Sequence, residues 1–187
     1  DISTRAISFG AGGGTIDTNG NAVTFASGIG SASTGSFTKV GTGTLTLAGV
    51  NTYTGATNVN AGVLNLTGST AIGSTVNVAT AGTLSGTGTV LGNATLTGAG
   101  VINLGSSGNI AGTLAVTGGN WNGAGSVTGL TTVSSGTFTI GASGTMTATG
   151  GVTVSGTGSI AAGGTSSILN GSLTYSSSSN STYQGLL

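Results

Sequence analysis

The sequence predicts an all-β protein, a right-handed parallel β-helix (β-solenoid) with three short strands and about 19 residues in each coil. Apolar residues recur along the chain at a nearly constant spacing, as they do in repeat proteins whose coils stack on one another. Short segments alternate apolar and polar residues, which is typical of strands with one buried face. Gly occurs 40 times and Pro never, so corners are available and no backbone N–H is lost to proline.

The alternating segments are clearest in "TLTL" at 44–47, "VLNL" at 63–66 and "TFTI" at 137–140. In a strand, successive side chains point to opposite faces, so each segment places its apolar residues on one side. Thr and Val favour strands because a β-branched side chain fits the pleated surface. The chain has no apolar stripe of helical spacing with a useful length, so we expect strands joined by glycine-containing turns.

Three columns of apolar residues keep the same period and stay in phase with each other. The first column contains Leu45, Leu64, Leu84, Ile102, Trp121, Phe138 and Ile160. The second contains Tyr53, Ile72, Val90, Ile110, Val127, Met146 and Ile168. The third contains Val59, Val78, Leu96, Val116, Val133, Val154 and Leu173. If coils stack at the strand spacing of about 4.8 Å, like residues lie above one another as an internal structural ladder. Right-handed winding is the default for parallel connections.

The whole chain, residues 1–187, is predicted to form a single solenoid. Residues 1–40 are less regular and are expected to form a cap or irregular first coils. The period extends backward if Phe25 aligns with Leu45 and Val40 with Val59. Asn19-Gly20 predicts a tight turn with Asp17 in an Asx-turn. Residues 176–187 are of low complexity and are expected to be a frayed or assembly-edge tail.

The charges are few and argue against several partners. Asp1, Arg5, Asp17 and Lys39 are the only charged residues, and the net charge is zero. Nucleic-acid binding needs clustered Lys and Arg, so no nucleic-acid partner is expected. No apolar run approaches the roughly 18 residues of a membrane helix, so no membrane insertion is expected. We expect Lys39 to be a solvated residue at a strand edge.

The residue types also argue against catalysis. The chain has no His, Cys or Glu. A Ser nucleophile needs an activating base, and acid–base catalysis needs a group that titrates near the working pH. Calcium sites usually need several carboxylates, and this chain has two. The sequence therefore predicts no enzyme, no catalytic or metal site and no cofactor. Trp121 and Tyr53 are expected to be packed in the interior and not to form a ligand platform.

Residues 9–69 resemble a known bacterial repeat. "GGGTIDTNGNAVTF" at 12–25 and "KVGTGTLTLAGVNTYTGATNVNAGVLNL" at 39–66 are similar to the autotransporter-associated β-strand repeat of passenger regions in autotransporters and giant adhesins. The matching positions are Gly41, Gly43, Thr44, Leu45, Thr46, Leu47, Gly49, Asn51, Thr52, Tyr53, Thr54, Gly55, Thr57, Val59, Gly62 and Leu64. The resemblance implies a parallel β-helix, secretion to the cell surface or beyond, and no shared catalytic residue.

Together these features predict an extracellular bacterial structural or adhesive protein. We expect a stiff stalk or filament subunit that acts by assembly and by many weak contacts with cell surfaces or glycans. Open strand edges at the ends of a solenoid favour end-to-end or edge-to-edge self-association. The alternative is a module that binds ice or glycans on a Thr-rich face. It would use the Thr-x-Thr segments around Leu45, Leu96, Phe138 and Met146.

Overall fold

A computed structural model describes residues 5, 7–30, 34–69, 74–141, 145–164 and 168–178. Within these residues all regular secondary structure is β-strand, and every strand pair is parallel. The chain forms a β-solenoid of about seven turns with about 20 residues in each turn. The predicted parallel β-helix is confirmed.

The strands follow one another with short connections. They are β1 (Gly14–Asp17), β2 (Ala22–Phe25), β3 (Phe37–Val40), β4 (Thr44–Leu47), β5 (Thr57–Leu66), β6 (Val76–Gly86), β7 (Thr89–Val90), β8 (Ala94–Leu96), β9 (Val101–Leu104), β10 (Asn109–Ile110), β11 (Leu114–Gly123), β12 (Ser126–Val127), β13 (Thr131–Ile140), β14 (Thr145–Thr147), β15 (Val152–Val154), β16 (Ser159–Ala162), β17 (Ile168–Asn170) and β18 (Leu173–Tyr175).

The strands stack into three faces. Face A contains β1, β3, β5, β6, β8, β11, β13, β15 and β18 in stacking order. Face B contains β2, β4, the second halves of β5 and β6, β9, the second halves of β11 and β13, and β16. Face C contains the short strands β7, β10 and β12 and the pair β14–β17. Strands on face C are only two or three residues long, so this face is the least regular.

Four coils differ from the expected three short strands. In β5, β6, β11 and β13 one strand of 10 or 11 residues runs through faces A and B. Glycine at the corner allows this continuity. Gly62 has a φ of 64°, and a Cβ at this position would clash with the carbonyl oxygen of Gly41 in the coil below. Because the corner backbones lie so close, interstrand pairing continues around the bend with only a shift in register.

The first column stacks on face B. Leu45 lies opposite Leu64 and Leu64 opposite Leu84, and the same order continues through Ile102, Trp121, Phe138 and Ile160. All seven side chains are buried. Trp121 and Phe138 stack with ring centroids 5.4 Å apart, and the Trp121 Nε1 donates to the carbonyl of Gly123 at 3.2 Å. This ladder is the apolar interior beneath face B.

The third column stacks on face A from Val59 through Val78, Leu96, Val116 and Val133 to Val154. Its expected last member was Leu173, and this alignment is wrong. Tyr175 lies opposite Val154, and Leu173 lies opposite Val152. This coil contains two residues more than the sequence alignment assumed. Tyr175 therefore occupies the next position of the third column.

The second column is continuous only through Val90, Ile110 and Val127. Val127 lies opposite Ala148, not Met146, and Met146 lies opposite Leu169, not Ile168. Face C is therefore displaced between these coils, although Met146 and Leu169 are both buried. Tyr53 is buried, and Ile72 lies outside the described residues.

The alignment of the first coils is also wrong. Val23, not Phe25, lies opposite Leu45, and Lys39, not Val40, lies opposite Val59. The step from Val23 to Leu45 is 22 residues, so a constant period of about 19 places the early strands incorrectly. A shift of one residue turns an outward side chain inward. The inward position of Lys39 follows from this shift.

The N-terminal coil contains the predicted tight turn. Asn19 and Gly20 have φ values of 44° and 81°, and the Asn21 N–H donates to the Thr18 carbonyl at 2.8 Å. The Asn19 N–H donates to the Asp17 Oδ1 at 2.7 Å, which confirms the Asx-turn. Two successive residues with positive φ are the geometry of a type I′ turn, which Asn-Gly favours.

We predict that Gly82→Ala destabilises the solenoid, because a Cβ at this corner would clash with the carbonyl oxygen of Val59 in the coil below. Overpacking of this kind costs about 1–3 kcal/mol. Gly12→Ala is the matched control, since nothing lies within 4 Å of a Cβ at that position. Urea denaturation followed by circular dichroism measures both variants. Equal stability of the two variants would contradict close backbone stacking at the corner.

Candidate functional site

The N-terminal corner contains a buried lysine that was expected to be solvated. Lys39 is fully buried in the inward column of face A, between Ile16 and Val59. Its Nζ donates to the carbonyl oxygens of Val40 at 2.8 Å, Gly41 at 2.8 Å and Ala61 at 3.1 Å. The expectation of a solvated edge residue is wrong, because the side chain turns inward and then reaches the carbonyls of the glycine corner.

The surroundings of Lys39 define its chemistry. An ammonium group has three N–H donors and no acceptor, and three carbonyls satisfy these donors. Burial lowers the pKa of Lys39, and the negative charge of Asp17 acts in the opposite direction. A saturated, enclosed ammonium has no free path to an external reactant. We therefore interpret Lys39 as a structural cation that joins the carbonyls of two successive coils.

The Asn51–Thr57 segment forms a second buried polar cluster, at the corner that precedes β5. The Asn51 side chain accepts from the Ile29 N–H at 3.0 Å and donates to the carbonyls of Gly49 at 3.2 Å and Ser69 at 2.9 Å. One amide thus connects three successive coils. The sequence showed Asn51 as part of the repeat signature, but its partners lie 18 and 22 residues away, so only the fold reveals this role.

Tyr53 is packed in the same corner, as expected. Its ring meets that of Phe37 edge-to-face with a centroid distance of 6.1 Å, and its hydroxyl hydrogen-bonds to the Thr57 Oγ1. Burial raises the pKa of Tyr53. A hydroxyl paired inside the interior is not presented to a ligand. Tyr53 therefore stabilises the corner.

The large side chains of the repeat signature all lie in the interior. The buried members are Leu45, Leu47, Asn51, Tyr53, Thr57, Val59 and Leu64. The signature therefore describes how one coil packs on the next, and it does not describe a surface site.

Outward positions form polar columns on each face. On face A the sequence of stacked residues is Thr38, Asn58, Asn77, Thr95, Ala115, Thr132, Thr153 and Thr174. The Asn77 Nδ2 donates to the Asn58 Oδ1 at 2.9 Å, which forms an amide ladder. The four Thr-x-Thr segments are distributed over faces A, B and C. They do not form one continuous array.

A shallow cleft of about 330 Å³ lies on face B. It is lined by Val101, Asn120, Asn122, Thr137 and Thr139, which come from β9, β11 and β13. The two asparagines are exposed and flank the buried Trp121. The sequence pattern did not single out Asn120 and Asn122 as site residues. Their grouping with threonines of the next coil appears once the strands are stacked.

The described residues contain no group of three or more His, Cys, Asp or Glu side chains that could hold a metal ion. In the same part of the chain, no helix has the length and apolar character needed to cross a membrane.

The buried signature and the parallel stacking define a β-solenoid repeat protein, and comparison with known proteins is consistent with this class. Residues 37–66 match the family model described as passenger-associated-transport-repeat. These residues comprise β3, β4 and β5. Strands β3 and β4 lie on faces A and B of one coil, and β5 runs through faces A and B of the next coil. The predicted resemblance to an autotransporter passenger repeat is confirmed for this part of the chain.

A curated relative was also found. Over 56 residues, or 30% of this chain, the sequence is 54% identical to the "Extracellular serine protease" of Serratia marcescens. The match covers 5% of that protein, so this chain spans about a twentieth of its relative's length. No solved structure matches the chain.

We predict opposite effects from replacing two threonines that share an inward column of face A. The Thr131 Oγ1 is buried without a described hydrogen-bond partner, whereas the Thr57 Oγ1 pairs with Tyr53. An unpaired buried hydroxyl costs about 1–3 kcal/mol. Thr131→Val should therefore raise the free energy of unfolding, and Thr57→Val should lower it. Denaturant unfolding of both variants is the measurement, and a loss of stability in Thr131→Val would contradict the assignment.

We further predict a pH-dependent difference between the native protein and Lys39→Met. Because burial lowers the pKa of Lys39 from its ordinary 10.5, the unfolded chain keeps a proton over a range in which the folded chain releases it. Stability therefore rises with pH through this range, up to about 10.5. The variant lacks this contribution. Tyr53 is present in both proteins, so its contribution cancels in the difference.

Chemical denaturation of both proteins between about pH 7 and about pH 11 measures this difference, since the range includes the ordinary lysine pKa. The native protein should gain stability relative to Lys39→Met as the pH increases. A difference that does not change with pH would show that the ammonium group is not enclosed in the folded state.

Proposed function

We propose that this chain is a segment of a secreted bacterial passenger protein, located outside the cell or on its surface, and that its role is structural. The observation that carries this proposal is the inward orientation of the repeat signature, from Leu45 through Asn51 and Tyr53 to Leu64. Those side chains stabilise the stacking of coils. The product of the repeat is then a stiff rod that serves as a stalk or filament subunit.

The comparisons support a place within a larger secreted protein. The matched relative is named as extracellular, and the matched part is a small fraction of its length. We infer that the matched residues have a structural role in both proteins. The proteolytic activity in the relative's name is not transferred to this chain, which has no His, Cys or Glu for acid–base or nucleophilic catalysis.

Self-association through the ends of the rod is the partner interaction that we propose. Among the described strands, β18 pairs with β15 on one side of face A. Tyr175 on β18 is 41% exposed, although its column is buried elsewhere from Val59 to Val154. A strand edge that carries an exposed apolar residue can act as a template for another strand. No charged residue follows Lys39, so no like-charge repulsion protects this edge.

The opposite end differs. Gly14 of β1 lies opposite Phe37 and has no side chain to continue the column. The Phe9 ring fills this place and stacks on Phe37 with a centroid distance of 5.8 Å. The Phe9 ring thus covers the inward column at β1, and we infer that association takes place through the β18 edge. Rods that associate edge-to-edge or end-to-end then combine many weak surface contacts in one assembly.

We predict rods in negative-stain images of the purified chain, with a length of roughly 40 Å from the strand spacing, and multiples of this length as concentration rises. Tyr175→Lys should shift the population toward monomers in analytical ultracentrifugation, because it places a charge on the edge. Val50→Lys adds the same charge at a 67% exposed position away from β18 and is the matched control.

Two results would contradict this proposal. Particles without an elongated shape would exclude a stalk. Monomers at every concentration, or equal dissociation by both lysine variants, would exclude assembly through the β18 edge while leaving the rod itself intact.

A further inference from the structure

Several outward asparagines of this solenoid use their amides to connect coils. Asn77 donates to Asn58, and Asn109 accepts from the Ser126 hydroxyl at 2.8 Å. The Asn65 amide donates to the Thr46 hydroxyl at 3.3 Å in the coil below. These pairs satisfy the polar side chains within the protein itself.

The asparagines of the face B cleft differ. Asn120 and Asn122 line the cleft and are exposed, and Val101, which lies opposite Asn120 in the coil below, lines it too. Within the described part of the chain, these two side-chain amides make no hydrogen bond to the protein. Thr139 also lines the cleft and has no described side-chain partner. The cleft therefore collects donors and acceptors that remain available to a ligand.

The backbone beneath these amides is held firmly. Trp121 lies between the two cleft asparagines in sequence, and its buried ring stacks on Phe138. Its Nε1–H donates to the Gly123 carbonyl at 3.2 Å. Asn120 pairs with Thr137 and Asn122 with Thr139 in the next coil. A polar group on a rigid element loses less entropy when a ligand binds, which is an advantage for a small site.

The chemistry of the cleft selects a class of ligand. No charged residue of the chain lies beyond Lys39, so neither an anion nor a cation finds a counter-charge here. A primary amide has two donors and an acceptor oxygen, and a hydroxyl both donates and accepts. This mixture is complementary to the hydroxyl groups of sugars. The volume of about 330 Å³ is near the lower end for small-molecule sites.

We propose that the cleft lined by Val101, Asn120, Asn122, Thr137 and Thr139 is a binding site for a neutral saccharide. The sugar is held by hydrogen bonds to amides and hydroxyls from two successive coils. The lining contains no aromatic side chain for the sugar to stack on. Because exposed hydrogen bonds add little net free energy, the affinity of one site is millimolar, and repeated copies on an assembled rod supply avidity.

Nuclear magnetic resonance of the ¹⁵N-labelled chain tests this site through its asparagine side-chain signals. The probes are maltohexaose, cellohexaose and mannohexaose, each at roughly 10 mM, which occupies most of a millimolar site. An oligogalacturonate hexamer is the charged comparison. We expect at least one neutral probe to shift the NH₂ signals of Asn120 and Asn122 and to leave those of Asn58 and Asn77 unchanged.

A pair of double variants distinguishes binding at the cleft from nonspecific binding to the solenoid surface. Asn120→Ala/Asn122→Ala should weaken binding about tenfold or more, which corresponds to about 1.4 kcal/mol. Asn58→Ala/Asn77→Ala is matched in residue type and number on face A and should bind as the native chain does. Asn120 and Asn122 are exposed, so their replacement should change thermal unfolding little, whereas Asn58→Ala/Asn77→Ala also removes the amide ladder bond.

Three outcomes would overturn the site. They are no shift with any neutral probe, equal shifts on faces A and B, or unchanged affinity in Asn120→Ala/Asn122→Ala. None of them affects the length of rods in electron micrographs, so failure of the saccharide site is distinguishable from failure of the structural role.

Discussion

Parallel hydrogen bonding between successive coils fixes which residue of one coil lies opposite which residue of the next. The other features of this protein depend on that register. A coil of about 20 residues cannot bury its own apolar side chains. Once coils pair, Leu64 is covered by Leu45 below and Leu84 above, and the side chains become an enclosed ladder. Stability is then a property of neighbouring coils, and a rod is the natural product.

Glycine at the corners makes this register possible. The backbones of stacked corners lie so close that a side chain at Gly82 would meet the carbonyl of Val59. Where a corner leaves carbonyls without strand partners, polar side chains complete the bonding. Lys39 does so with three carbonyls at one corner, and Asn51 joins three coils at another. Buried Lys39 and Asn51 therefore have structural roles that a surface view of the chain would miss.

The structural role is argued from the interior residues, and the saccharide site is argued from the surface residues. The interior is described by the repeat signature and supports a structural role for the chain. The surface is built from small hydroxyl and amide side chains, several of which bond along the stack. The cleft around Asn120 and Asn122 departs from this arrangement, because its amides remain available beside a well-packed Trp121. A local departure of this kind on a regular scaffold is where recognition of a ligand is expected.

The sequence by itself determined the fold class, the inward positions of columns such as Leu45–Leu64–Leu84 and the tight turn at Asn19-Gly20. Strand alternation and the repeat period are local properties, so they can be read without coordinates. The tertiary structure decided that the Lys39 side chain points inward and that Tyr175, not Leu173, continues the third column. It also decided that Asn120 lies opposite Thr137. These depend on how many residues each coil contains, and a shift of one residue exchanges interior and surface. Coil length varies where loops vary, so only the stacked structure shows which residues meet.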